Sequence, residues 1–216
     1  MNGPRQARPQ TSVRHRTPSQ DVSAALLAAA EDVLDREGLA GLTIRAVATE
    51  AGVAPMGVYN RFGGKPGLID ALLARGFVLL REAILAAPGH GLVRLRNSGD
   101  AYRQFALAHT HLYTLMFNHP DDVEPSPETL TSAVESFEAL VLLVTDAMSR
   151  GDLVESDPVE VGQSIWCGVH GAMSLELAGI GFTPDRARTF HLMNDAVLAG
   201  FARRRDEQPL PRRSRS

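Results

Sequence analysis

Twenty-three residues, Thr43 to Lys65, constrain this chain more than any other stretch, because two short helices joined through a single glycine can pack in few ways. Thr43 suits an N-cap, and Ile44, Val47, Ala48 and Ala51 then recur at helical spacing. Gly52 ends that helix where a left-handed residue is wanted, Val53 follows as an apolar plug, and Pro55 suits the first turn of a second helix. The second helix carries Val58 and Phe62 inward, and Ala48 is small where the two helices cross closely. This is the helix-turn-helix arrangement, which places its second helix in the major groove of DNA.

A helical hairpin built only for packing shares that apolar spacing. The outward residues distinguish the two: Met56, Gly57, Tyr59 and Asn60 on the second helix, then Lys65 at the start of the next. Tyr, Asn, Arg and Lys crowded just beyond a turn suit phosphate and base edges better than a packing hairpin.

Leu42-Thr43-Ile44-Arg45, Ala51-Gly52-Val53, Val58-Tyr59 and Phe62-Gly63-Gly64-Lys65 resemble, without a gap, the DNA-binding domain of TetR/AcrR-family transcriptional regulators. The resemblance implies DNA contacts from Thr43, Arg45, Ala54, Pro55, Met56, Gly57, Tyr59, Asn60 and Lys65. Tyr59 and Lys65 would hold phosphates, while Arg45, Met56, Gly57 and Asn60 would face bases. Two positions depart from the pattern: Ala54 and Gly64 stand where small hydroxylic or polar caps are usual, which shifts phosphate binding toward backbone amides.

A net charge of −3 would argue against DNA unless it is unevenly placed. Residues 1–65 carry eight basic and six acidic side chains, residues 66–199 eight and seventeen, and residues 200–216 six and two. The ends are therefore positive and the body negative, which suits a molecule held to phosphate by one end. No apolar run is long enough to span a membrane, the N-terminus lacks a signal-peptide core, and a lone Cys167 makes no internal disulfide; together these predict a cytoplasmic protein.

Taken in order, residues 1–17 hold four arginines, two prolines and no carboxylate, reading either as a solvated tail or as a basic arm for DNA. Thr17-Pro18-Ser19-Gln20 fits a capping box opening a first helix that presents Val22, Leu26, Ala29, Val33 and Leu34 until Gly38. A fourth helix runs from Lys65 to about Ala87, linking front and back, and Pro88-Gly89-His90-Gly91 breaks it. Ser126-Pro127 opens a long helix predicted to bury Leu130, Val134, Phe137, Val141, Val144 and Met148. Asp157-Pro158 opens another, and Thr183-Pro184 a last one running to about Arg205. With no period-two pattern, the chain reads as all-α: a basic arm (1–17), a three-helix DNA-binding domain (18–64), a larger helical ligand-binding and dimerisation domain (65–205) and a basic tail (206–216).

Trp166-Cys167-Gly168-Val169-His170-Gly171 is similar to the Trp-His-Gly signature of one ligand-binding class within the same family, and Leu112 to Pro120 is similar to another part of it. Tyr102, Phe105, His109, Met116, Phe117, Phe137, Trp166 and His170 lie at inward-tending positions and suit an aromatic-walled pocket for a small, mainly apolar effector, although each alone suits an ordinary core. Cys167 and His170 lack a third group for nucleophilic chemistry, and His109 and His111, two apart, diverge too far to share a metal. No catalytic constellation, cofactor motif or metal motif is legible. Apolar residues on two sides of the last helix (Phe190, Met193, Val197 and Phe201; Leu192, Ala196 and Ala199) predict a homodimer through the last two helices. The expected protein is a ligand-responsive regulator of operator DNA, a repressor by resemblance. The alternative is a helical protein controlled by a protein partner and binding DNA weakly.

Overall fold

The computed structural model describes residues 19–203, and among them the secondary structure is nine α-helices. In chain order they are α1 (Ser19–Gly41), α2 (Ile44–Glu50), α3 (Pro55–Phe62), α4 (Lys65–Leu85), α5 (Gly91–Ala108), α6 (Thr110–Phe117), α7 (Pro127–Ser149), α8 (Pro158–Leu177) and α9 (Arg186–Phe201). No strand forms among the described residues; one isolated antiparallel bridge joins Leu153 to Ala202. The capping box at Thr17, the arm 1–17 and the tail 206–216 lie outside the described residues.

The front three helices close around one apolar centre. Leu26, Ala30, Val33 and Leu34 of α1 meet Val47 and Ala48 of α2 and Val58 of α3, each no more than 1% exposed. Gly38 interrupts α1 with φ 67°, and one further turn to Gly41 follows the interruption. Arg36 reaches Glu50 at 2.8 Å and Arg75 pairs with Glu31, so α1 is tied to both α2 and α4. Such partly exposed pairs contribute at most about 1 kcal/mol each; the burial does most of the stabilising.

Helix α4 belongs to both halves of the molecule. Its first turns bury Leu68, Ile69 and Leu72, and its later turns bury Leu80 and Ile84. It packs against α1 and α3 in front and against α5, α6 and most extensively α7 behind. At Gly76 a side chain would stand 2.6 Å from Met116 Sδ, so the glycine is what lets α6 lie directly on α4.

The body departs from the sequence reading in three places. In α7 the buried stripe is Ser136, Ala139, Leu140, Leu143, Val144 and Ala147, whereas Leu130 and Val134, expected inside, are each 56% exposed. The helix is apolar on more than one side, so periodicity alone did not choose the face that α4 and α5 cover. Helix α9 starts later than Thr183-Pro184 suggests, because the Asp185 carboxylate accepts from the Arg188 amide at 2.9 Å and caps it there. It also stops earlier, at Phe201, since Ala202 turns extended to meet Leu153. His109 sits at the break between α5 and α6 with non-helical backbone, φ −124° and ψ 48°, and not within one helix with His111.

A polar seam joins α5 to the last two helices. Arg103 grips Glu176 through two hydrogen bonds of 2.7 and 3.2 Å, with both side chains largely buried, and lies over the Phe190 ring. Paired burial of this kind specifies alignment more than it adds stability.

Candidate nucleic-acid interface and ligand cavity

The turn between α2 and α3 is built by local geometry. The Thr43 hydroxyl accepts from the Ala46 amide at 3.1 Å and fixes where α2 begins. Gly52 takes φ +66° with nothing near its missing side chain, so it is the left-handed backbone, not crowding, that calls for glycine. The Val53 amide then closes the turn on the Ala48 carbonyl at 2.9 Å.

With Val58 fully buried, the opposite side of α3 faces outward: Met56 is 64% and Tyr59 50% exposed, and Asn60 is exposed beside them. Thr43 and Arg45 at the start of α2, and Ala54 and Pro55 at the start of α3, are exposed too. Gly57 differs from the rest of the expected base-facing set, since a side chain there would point at Val53, 3.7 Å away, and not outward. Lys65 is half-buried, its Nζ 3.4 Å from the Leu39 carbonyl. No side chain caps α3 at Ala54 or α4 at Gly64, although the Gly57 amide in the first turn of α3 is already taken by the Ala54 carbonyl at 2.8 Å. Arg61, in the last turn of α3, donates to the Ser23 hydroxyl at 2.9 Å and ties α3 to α1.

The body holds a partly open cavity of about 230 Å³, walled by α4, α5, α6, α7 and α8. Four of the eight expected pocket residues, Tyr102, Phe117, Phe137 and Trp166, line it. Trp166 stands 6.2 Å from the Phe117 ring and 6.3 Å from Phe137, and Phe77 of α4 meets Phe117 edge-on at 5.9 Å. His170 lies one layer behind, 4.5 Å from Phe117 and 5.4 Å from Trp166 between ring centres. Met116 is buried against Gly76 beneath the cavity. Phe105 and His109 turn to a different, open groove between α4 and α5, their rings 5.1 Å apart.

Tyr113, which the sequence reading passed over, completes the layer behind the cavity. Its hydroxyl lies 3.0 Å from that of Tyr102 and 2.8 Å from His170 Nδ1, with Tyr102 3.1 Å from the same nitrogen. Only the tautomer with the proton on Nε2 leaves no donor idle: Tyr102 gives to Tyr113, Tyr113 gives to Nδ1, and Nε2 faces the Ser174 hydroxyl at 3.5 Å. Burial pushes the Tyr102 hydroxyl up to about 12 and raises Tyr113 further, while burial lowers His170, so all three stay neutral at ordinary pH. Tyr113 falls four residues before Phe117 and three after Thr110, a spacing that would have placed it on the same face as Phe117 had it been counted.

Among the described residues Cys167 and His170 do not form a nucleophilic pair. Cys167 is exposed and accepts from Gln163 at 3.4 Å, and His170 is engaged by tyrosines instead. Among the described residues no three His, Cys, Asp or Glu side chains cluster as metal ligands, and no helix is long and apolar enough to cross a membrane.

Comparison with known proteins agrees with both halves of this geometry. Residues 26–72 match the family described as bacterial regulatory proteins, tetR family, and residues 95–197 match the tetracyclin repressor-like C-terminal domain; together these span more than two thirds of the chain. The chain is 28% identical over 179 residues to an uncharacterized HTH-type transcriptional regulator of Mycobacterium tuberculosis, covering 79% of this chain and 77% of that one. Among solved structures, a Rhodococcus sp. RHA1 protein superposes with TM-score 0.73 at 27% identity, covering 90% of this chain and all of the other. A TetR family regulator from Marinobacter aquaeolei VT8 shares the fold at TM-score 0.62 and 16% identity, over 86% of this chain and 97% of its own. Models of one family thus match both the front helices and the helical body, and the chain belongs to the TetR family of DNA-binding transcriptional regulators, which are not enzymes.

Proposed function

We propose that this regulator is a dimeric repressor that holds a palindromic operator and releases it when a small, mainly apolar molecule fills the cavity. The observation that carries the reading is where the cavity lies. Phe77 of α4 and Phe117 of α6 line it, and their immediate neighbours Gly76 and Met116 form the close contact between those helices. A ligand that spreads the two rings therefore acts on the helix that continues into the DNA-binding half. Helix α6 also lies on α1, with His111 facing Gly38. The ligand must prefer the arrangement that does not fit DNA, since equal affinity for both would shift nothing.

In this reading residues 18–64 hold DNA and 65–205 hold the ligand and the partner copy. Lys65, Tyr59 and the uncapped helix ends take phosphates, while Arg45, Met56 and Asn60 read bases. Dimerisation is supported by the outer faces of α8 and α9. Leu175 is 53% and Leu192 61% exposed, with the small residues Cys167, Gly171, Ala196 and Ala199 along the same faces. Such a face on a folded helix pair invites close helix packing by a second copy.

The test uses DNA from the region upstream of the protein's own coding sequence. Retardation of that DNA should be reversed by an inducer over the concentration range in which the inducer changes the emission of Trp166, the single tryptophan. DNA release with unchanged Trp166 emission would put the sensor elsewhere. Light scattering showing a monomer at micromolar concentration would remove the dimer.

A further inference from the structure

We infer that the cavity selects an uncharged ligand that presents a hydrogen-bond donor, of the phenol or alcohol class, to Ser98 and Ser136. This rests on the reading of the cavity as the sensor site and names the chemistry that site accepts.

The argument is an inventory of the polar atoms that line the space. Ser98 on α5 and Ser136 on α7 are 3% and 6% exposed and lie in its wall. Ser98 Oγ stands 2.7 Å from the Leu95 carbonyl and Ser136 Oγ 2.8 Å from the Ala133 carbonyl. A carbonyl cannot donate, so each hydroxyl spends its proton on its own helix and keeps lone pairs for a visitor. The Tyr102 hydroxyl is turned to Tyr113 and His170 and takes the Trp166 indole N–H, and Gln163, at an exposed position on α8, gives one amide proton to Cys167. Apart from the second Gln163 N–H at that exposed position, what remains available in the buried wall is acceptor capacity.

Charge is excluded by the same inventory. No Asp, Glu, Lys, Arg or His lines the cavity. A carboxylate or ammonium entering it would lose its hydration without gaining a partner of opposite charge, a far larger cost than that of burying one hydroxyl that finds an acceptor. The aromatic walls at Phe77, Phe117, Phe137 and Trp166 accept a ring of ordinary size edge-on or tilted. Their negative faces alone attract a cation by less than its lost hydration.

Calorimetric titration of the intact protein with four probes of similar size tests this: 4-ethylphenol, 4-ethyltoluene, 4-ethylbenzoate and 4-ethylbenzylammonium, at neutral pH where the phenol is uncharged. Methyl for hydroxyl preserves shape and raises hydrophobicity, so a plain greasy cavity ranks the toluene first. The expected order has 4-ethylphenol at least tenfold tighter than 4-ethyltoluene, and both ions at least a hundredfold weaker than the phenol. Ser98→Ala combined with Ser136→Ala should bring the phenol down to the level of the toluene and change toluene affinity less than threefold. The inference is overturned if the toluene equals or beats the phenol, if either ion binds tightest, or if the preference for the phenol survives the double substitution. Binding without donor preference removes this inference alone. Absence of heat and of Trp166 response with all four probes removes the sensor reading and the inference with it.

Discussion

At the front of the molecule the residues proposed to face DNA point away from the core; in the body the residues proposed to face the ligand are the core. Met56, Tyr59 and Asn60 stand outward from a helix anchored by Val58, so their side chains are not what holds α3 in place. Tyr102 at 3% exposure lines the cavity and at the same time seals the packing of α5 on its neighbours. Function and stability are thus separable in one half and joined in the other. A DNA-reading surface can change its specificity without unfolding the domain, whereas a new ligand preference has to be found among side chains that also keep the body folded.

The sharpest way to break this comparison is Tyr102→Ala. Removing a buried ring costs about 3–5 kcal/mol, and here it also strips a hydrogen-bond partner from Tyr113. Urea denaturation should show the loss together with loss of ligand response; an unchanged midpoint would mean that the cavity wall is as dispensable as a surface.

Gly52→Val comes next. A β-branched residue forced to φ +66° stores about 1–3 kcal/mol of strain, and the turn that aims α3 should relax away from it. Operator affinity is expected to fall at least tenfold while probe binding in the cavity and Trp166 emission stay as they were. Loss of both activities would show that the halves do not separate at this turn.

A smaller, cleaner effect is expected from the residues proposed to face DNA. Asn60→Ala should relax preference at one base pair by about 1–3 kcal/mol, whereas Lys65→Ala should weaken binding to every sequence and lower the salt slope by about one. Neither should move the denaturation midpoint by more than about 0.5 kcal/mol. Equal losses on operator and random DNA for both variants would erase the division between phosphate and base contacts.

The smallest effect is in pH. Burial lowers His170, so the folded protein favours its neutral form while the unfolded chain takes up a proton near 6.5. This contribution is intact above about pH 6.5 and is lost as pH falls below it. Tyr102, pushed up to about 12, works in the opposite sense: its contribution is intact below about pH 10 and lost as pH rises beyond. Denaturation midpoints measured between pH 5 and 7.5 should flatten in His170→Gln; an identical acid slope in that variant would assign it to other groups.

Much of the fold was legible because helix ends are local events. Thr43, Ser126 and Asp157 each cap the helix that follows by accepting an amide two or three residues on, and Gly52 turns the chain by its own backbone. Each of these can be read from a window of a few residues. The outward set on α3 is legible for the same reason, since once Val58 is inside, helical periodicity puts Met56, Tyr59 and Asn60 outside.

What only the tertiary structure decided is which side of an apolar helix meets which neighbour. Leu130 and Val134 keep the same spacing as a buried stripe yet face outward, because α4 and α5 pack one side further round α7. Phe105 and Tyr102 are three residues apart and both buried, but Tyr102 faces the cavity and Phe105 the groove on the other side of α5. His170 found two tyrosines, 57 and 68 positions away in the chain, that no local pattern could have named. Ser98 and Ser136 lie on different helices and were not singled out from the sequence; only the packing of α5 beside α7 brings them into one wall. In a helix apolar on several sides, periodicity is satisfied by more than one rotation, and the burial gained against particular neighbours selects among them.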